Sequence, residues 1–322
     1  MKTIYLIRHA TPQLQPEQAE SSDIYGIPLG IYGKLQSVLL ADVMQDKGVV
    51  NICCSPEFYC AQTAEIIGEP LLRSPMLSEV SCCEPEKLAE AQGRIERCIL
   101  RCAATMPGDI AIVSHHNLLR LFLCKITGVD ISRFDEFELP CGTVTTVRYD
   151  GAFSVSGIAE VPHPALDTQL CEKLLKAARV SGKTAARSRA VAAEALRIGE
   201  ELKLDLETIR SAAYLHELAK AMPQHAATAT EWLNGLGYPE IADIVRQHHD
   251  LDKIDVIDEA AVVYIAAKTV LDDQVVGISN HQAVSAGRCK TQKEKEKLRE
   301  RYIAATAVKN RINSMCGKEL VK

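Results

Sequence analysis

IYLIRHATP, residues 4–12, is an apolar run that stops abruptly on Arg8 and His9. A continuous apolar run, rather than an alternating one, marks a strand buried on both faces, as a parallel sheet covered by helices requires. In open α/β sheets ligands bind beyond the carboxyl ends of the strands. Arg8 and His9 stand at such an end, and both side chains bind anions readily. The stretch therefore predicts an α/β domain with an anion-binding crevice at the end of its first strand.

Two further runs repeat the pattern. VVNICCS (49–55) and DIAIVS (109–114) read as buried strands, and amphipathic segments at 30–47, 58–68 and 116–127 read as crossover helices. Strand, helix and strand at this spacing imply right-handed crossovers and a mainly parallel, three-layer α/β fold. GTVTTVRYDGAFSVSGIAEV (142–161) then reads as a β-hairpin turning at Asp150 and Gly151. Beyond VPHPALD (161–167) the strand signals vanish, and helices are predicted at 168–180, 184–203, 206–220, 226–236, 239–248, 257–272 and 291–315. The expected organisation is an α/β domain over 1–162 and an all-α domain over 163–322.

Composition sets limits on function. The chain has 322 residues, 47% hydrophobic and 25% charged, which suits two globular domains. No apolar stretch has bilayer-spanning length, and the early Arg8 argues against a signal peptide, so a cytoplasmic protein without a membrane partner is expected. Residues 1–160 carry 13 Lys and Arg against 20 Asp and Glu, and residues 161–322 carry 24 against 22. Neither half is built for nucleic acid, and the basic stretch from Arg288 to Arg311 alternates signs like a solvated helix face. The twelve cysteines include the adjacent pairs Cys53-Cys54 and Cys82-Cys83 but no CxxC, so reduced core thiols are expected rather than a metal or disulfide framework. Oligomeric state leaves no mark in the sequence.

The chemistry starts from paired histidines. Arg8-His9 ends the first strand and Ser114-His115-His116 ends DIAIVS, so two strand ends present histidines to one crevice. An arginine fork to grip an anion, one histidine to attack and another to support it, suggest phosphoryl transfer through a phosphohistidine. LIRHATP, DIYGIPLGIYGKLQS (23–37), SPEFYCAQTAEII (55–67) and IAIVSHHNLLR (110–120) occur in order. Together they resemble the signature segments of the histidine phosphatase, or phosphoglycerate-mutase-like, superfamily. The resemblance implies His9 as nucleophile, Arg8 and His115 as phosphate binders, and Glu79 as general acid, with no cofactor. It also places Thr11, Tyr59 and His116 in the phosphate pocket. Tyr59 stands where the family supplies a second arginine, replacing a charged fork by a neutral hydroxyl. His116 stands where a glycine is usual, and VSCCEPE after Glu79 lacks the usual glycine-containing acid loop.

The second half carries another constellation. AAYLHELAKAMP (212–223) places His216, Glu217 and Lys220 inside an apolar helix, which by spacing alone reads equally as a buried cluster serving a ligand or as an amphipathic helix whose polar residues face water. Residues 168–310 resemble the HD superfamily of metal-dependent phosphohydrolases. By that resemblance Arg187 stands at the first metal ligand, His216 and Glu217 form the central pair, His248 or His249 follows, and Ala267 replaces the last aspartate. Arg187 adds positive charge and Ala267 removes an oxygen ligand, so no divalent metal is expected. A guanidinium among His216, Lys220 and His248 or His249 would make an anion pocket instead. The whole chain is thus expected to be a phosphatase acting on a small phosphorylated molecule, fused to a metal-poor helical domain. The alternative is a non-catalytic binder of phosphates or nucleotides.

Overall fold

The structure, a computed structural model, describes residues 1–13, 26–80 and 85–322, and the side chains of all of these except Pro85 and Glu86. The start of the 23–37 segment and the Cys82-Cys83 pair lie outside the described residues. The chain forms two compact units, Met1–Pro164 and Ala165–Lys322.

The first unit runs β1 (Lys2–Arg8), α1 (Ile31–Asp46), β2 (Asn51–Cys54), α2 (Phe58–Ile67), β3 (Leu71–Arg73), α3 (Pro85–Thr105), β4 (Ile110–Ser114), α4 (His116–Thr127), β5 (Val144–Tyr149) and β6 (Phe153–Glu160). Its six-stranded sheet has the order β3-β2-β4-β1-β5-β6. The first four strands in that order pair in parallel, and the β5–β6 hairpin adds two antiparallel strands at one edge. This is the expected mainly parallel sheet. Alternation sorts each strand between two cores. Ile4 and Leu6 pack with Ile110, Ile112 and the inner faces of α3 and α4. Tyr5 and Ile7 pack with Ala111, Val113 and residues of α1 and α2 on the other side.

The sequence reading contains neither β3 nor α3. The three residues of β3 are too few to alternate, and the apolar stripe of α3 is narrow within a predominantly polar helix. Buried Leu88, Ala91, Ile95, Ile99 and Cys102 nevertheless fall at helical spacing along it.

The second unit comprises α5 (Thr168–Ala177), α6 (Gly182–Leu202), α7 (Leu206–Leu215), α8 (His225–Gly235), α9 (Pro239–Gln247), α10 (Glu259–Thr269), α11 (Ile278–Ala286) and α12 (Gln292–Cys316). Side chains cap most of their starts: Asp167, Ser181, Asp205, Asp258 and Thr291 each accept a backbone N–H of the first turn. Every residue of α10 from Ala260 to Thr269 is buried, so this helix is the hub of the unit. Three expectations need correction. The helix predicted at 206–220 ends at Leu215, so His216 is its C-cap, and Glu217 and Lys220 lie in the turns that follow. Val270 turns extended after α10, and Val270–Leu271 pairs with Gln274–Val275 as a short antiparallel ladder in an otherwise helical unit. Helix α11 was not expected. Among the described residues no helix is long and apolar enough to cross a membrane.

Candidate functional site

Strands β1 and β4 are parallel neighbours with Arg8 opposite Ser114, so the next residue on each, His9 and His115, emerge side by side. The His9 amide donates to the Ser114 carbonyl at 3.0 Å, and the two imidazole centroids are 5.4 Å apart. Tyr59, in the first turn of α2, closes the triangle, its ring 4.4 Å from that of His9 and 5.6 Å from that of His115. The sheet thus brings together His9, His115 and Tyr59.

His9 is buried, and its Nδ1 lies 2.9 Å from the Ala10 carbonyl. That contact makes Nδ1 the donor and leaves the Nε2 lone pair for chemistry. Burial first, then the adjacent His115, pushes the His9 pKa down to about 3, so the ring is neutral at physiological pH. Arg8 donates Nη1 to the Leu139 carbonyl, while its buried Nε has no hydrogen-bond partner. His116 opens α4 beside Arg8 and Arg120; burial and these two guanidinium groups lower its pKa to about 4.

Sequence reasoning missed Glu57. Its buried carboxylate lies 3.0 Å from His115 Nε2 and accepts the Ser55 hydroxyl, which is itself 2.9 Å from the same nitrogen. Burial opposes ionisation of Glu57, but the hydrogen bonds from His115 and Ser55 outweigh it and bring its pKa down to about 2. The Tyr59 hydroxyl is 3.4 Å from the other His115 nitrogen, and Cys60 Sγ lies 3.5 Å from Nε2. An acid two residues before Tyr59 was the available signal, but its partner is 58 residues away in sequence.

The remaining positions are tied into the surrounding loops and helix ends by hydrogen bonds. Glu79 caps α4: one oxygen accepts the Leu118 and Val80 amides at 3.1 and 3.0 Å, and the other accepts that of Asn117 at 3.2 Å. Thr11 donates its amide and hydroxyl to Gln36, which in turn donates to the Cys141 carbonyl. Thr63 accepts the Ala10 amide and Gln62 that of Leu29. Gly33 is obligatory because a Cβ there would sit 2.1 Å from the Thr11 carbonyl oxygen. Much of what the quoted segments specify is therefore the loop that carries Arg8 and His9.

In the second unit Arg187, on α6, reaches into the turn after α7. Its Nη1 lies 3.0 Å from Glu217 and 3.4 Å from His216 Nε2, and its Nη2 donates to the Ala267 carbonyl at 3.0 Å. The guanidinium occupies the point on which His216, Glu217 and position 267 converge. Lys220 also pairs with Glu217, at 3.1 Å. His248 is buried, and His225, His248 and His249 bring ring nitrogens within 4.8 Å of one another. Burial, then Arg187, lowers the His216 pKa to about 3; burial, then His216, does the same for His248. Lys268, the neighbour of Ala267, is also buried, and its pKa falls to about 7 through burial and then Arg301 and Arg187. In the first unit Cys53, Cys98 and Cys102 likewise bring their sulfur atoms within 4.8 Å of one another, buried in the core.

With this geometry in place, residues 75–156 match the profile of the histidine phosphatase superfamily (branch 1), and residues 184–272 match that of the HD domain. The chain carries a histidine-phosphatase region followed by an HD region. The histidine-phosphatase match includes Glu79, His115 and His116 and begins beyond Arg8, His9 and Tyr59. The HD match spans Arg187, His216, Glu217, His248 and Ala267. Among solved structures, YhfR of Bacillus stearothermophilus is 18% identical, with 50% of this chain and 98% of that one covered at a TM-score of 0.45. The alpha-ribazole phosphatase of Shigella flexneri is 18% identical, with 49% and 96% covered at a TM-score of 0.43. A phosphoserine phosphatase of Entamoeba histolytica in complex with 3-phosphoglyceric acid is 16% identical, with 50% and 98% covered at a TM-score of 0.43. No curated protein matches the sequence.

Proposed function

We propose that the histidine-phosphatase region hydrolyses a phosphate monoester of a small molecule through a phosphohistidine on His9. The observation that carries this reading is the neutral His9, tied through Nδ1 to the Ala10 carbonyl and set between Arg8 and His115. The Nε2 lone pair attacks phosphorus, the ester P–O bond breaks, and the leaving oxygen takes the electron pair and a proton. Water then attacks phosphorus, forming a new P–O bond as the N–P bond breaks and returns its pair to Nε2; the water's proton stays on the released inorganic phosphate or passes to solvent. Arg8 and His115 stabilise the charge on the transferring group. Both oxygens of Glu79 serve backbone amides, so we assign the leaving-group proton to water rather than to Glu79. Esters with acidic alcohols, such as aryl phosphates, are then the fastest substrates. We place the protein in a reducing cytosol, given twelve cysteines that include adjacent pairs unsuited to bridging.

The HD region, in the same proposal, works without a divalent metal. Its first-ligand position is a guanidinium and its last is a methyl group, with Lys220 and Lys268 close by.

A second reading, binding without turnover, is favoured by one observation: the buried Glu57 carboxylate beside His115, with Tyr59 in place of an arginine. A screen over phosphomonoesters with the wild type, His9→Ala and Tyr59→Arg separates the two. Turnover in the wild type that His9→Ala abolishes, with an acid-labile phosphoenzyme, supports the enzyme. Activity surviving His9→Ala overturns the phosphohistidine. An inert wild type whose Tyr59→Arg variant turns over establishes the binder.

A further inference from the structure

The HD region encloses a cavity of about 300 Å³ between α6, the turns after α7, and α9 to α12. Six cationic side chains line it, Lys183, Arg187, Lys220, Lys268, Arg288 and Arg301, against the two carboxylates of Glu217 and Asp272. Local ion pairs occupy four of the six: Arg187 and Lys220 meet Glu217, Lys183 meets Asp272, and Arg301 holds Asp250 through two bonds of 2.6 Å. Lys268 and Arg288 remain without a carboxylate partner among the described residues. The buried Lys268 ammonium has only the His248 carbonyl, at 3.3 Å, and the face of Tyr264. Removing an ammonium from water without a directly paired counter-charge is expensive, and its cost falls when an anion enters.

A second feature narrows the anion. His248 is 1% exposed, and its Nδ1 lies 2.6 Å from the Val245 carbonyl, which makes that nitrogen the donor. Its Nε2 is then an acceptor, buried in the wall of the cavity with no partner. An orphaned buried acceptor is unfavourable unless a ligand supplies a donor. A fully deprotonated oxyanion offers none.

We infer that this cavity binds, without metal, a phosphate dianion that also presents an O–H, held by Lys268 and Arg288 and giving its hydroxyl hydrogen bond to His248. Monohydrogen phosphate meets the description, as does a sugar or polyol phosphate with a hydroxyl beside the phosphoryl group. Sulfate does not: it matches phosphate in charge and size but has no proton to give. The inference rests on the metal-free reading of the HD region and is independent of the chemistry proposed for the other region.

The test is calorimetric titration of the full chain in EDTA, carrying Arg8→Met and His9→Ala so that the first pocket neither grips nor consumes ligand. Inorganic phosphate, glycerol 3-phosphate and sulfate are titrated separately. Inorganic phosphate or glycerol 3-phosphate is expected to bind at one site at least tenfold more tightly than sulfate, and the tighter of the two identifies the source of the anion. Arg288→Ala, on an exposed side chain, and Lys268→Met should each weaken that binding about tenfold or more. His248→Leu should bring phosphate down to the level of sulfate. Equal affinity for sulfate and the phosphates, affinity unmoved by Arg288→Ala and Lys268→Met, or binding only when Mn²⁺ replaces EDTA would each overturn the inference. Because Arg288→Ala removes an exposed side chain, its result stands even if Lys268→Met unfolds.

Discussion

His115 Nε2 lies 3.0 Å from a carboxylate oxygen of Glu57, and both side chains are buried. A histidine expected to face a phosphoryl group is thus already hydrogen-bonded to an anion of the protein. The carboxylate also repels any phosphate that enters the same low-dielectric pocket.

Glu57→Gln removes the charge and keeps the shape. Its expected effect is stronger inhibition by orthovanadate, by about tenfold, or about 1.4 kcal/mol. Weaker inhibition would show instead that Glu57 assists His115 in binding phosphate. The same variant changes acid stability. The folded pKa of Glu57 is lowered from 4.5 to about 2, so its contribution is present above pH 4.5 and is lost as pH falls toward 2. By linkage this is on the order of 3 kcal/mol, and denaturant titrations between pH 5 and 3 should show a shallower loss in Glu57→Gln.

Tyr59 offers the pocket only a hydroxyl, 3.4 Å from His115. Tyr59→Phe should change kcat/KM less than about fivefold, because so long a contact is weak. Tyr59→Arg restores a charged fork and should raise it by about 10²–10³, more when Glu57→Gln prevents the new guanidinium from pairing locally. A Tyr59→Phe variant that loses most activity would reassign the hydroxyl as a participant.

Gly33 tests the framework. With a Cβ 2.1 Å from the Thr11 carbonyl, Gly33→Ala must displace backbone next to the loop carrying His9. A loss of about 1–3 kcal/mol in denaturant stability is expected, together with reduced turnover. Unchanged stability would mean that the helix and loop separate easily.

The single tryptophan, Trp232, lies on α8 and reports unfolding of the HD region. His216 and His248 are neutral in the fold, with pKa values lowered from 6.5 to about 3. Below pH 6.5 the unfolded chain takes up protons that the fold refuses. Stability should therefore fall as pH drops from 6.5 toward 3, by up to about 1.4 kcal/mol per pH unit for each histidine. Lys268, lowered from 10.5 to about 7, adds a slope of the same sign between those values. Urea titrations followed by Trp232 fluorescence check this; a flat profile from pH 6.5 to 4.5 would contradict neutral buried histidines.

Arg187→His with Ala267→Asp restores the two altered ligand positions beside His216 and Glu217. One equivalent of Mn²⁺ or Zn²⁺ is expected to bind the double variant, measured by elemental analysis after dialysis, while the wild type retains none. Equal retention by the wild type would show that the guanidinium yields its place.

Local pattern carries further in some parts of this chain than in others. Continuous apolar runs marked β1, β2 and β4, and the alternating hairpin marked β5 and β6. The strand ends placed Arg8, His9 and His115 toward one crevice. Glu57 was not legible, because its role depends on the first turn of α2 abutting the end of β4. Lys268 carries no signal of its own within the helix predicted at 257–272, and Arg301 falls in the stretch that reads as a solvated helix face. Only packing of α10 against α12 and α6 shows that the first is buried and the second faces a cavity.

What the sequence determined by itself is whatever follows from spacing along the chain: the two-part organisation, the strand ends and the altered positions Tyr59, Arg187 and Ala267. What only the tertiary structure decided is charge balance. The energy of a buried ion depends on its neighbours in space, and those neighbours come from distant segments. Folding set Glu57 against His115, moved Glu79 into the cap of α4, put the Arg187 guanidinium at the centre of the HD ligand set, and left Lys268 without a paired carboxylate and His248 Nε2 without a donor at the wall of a cavity.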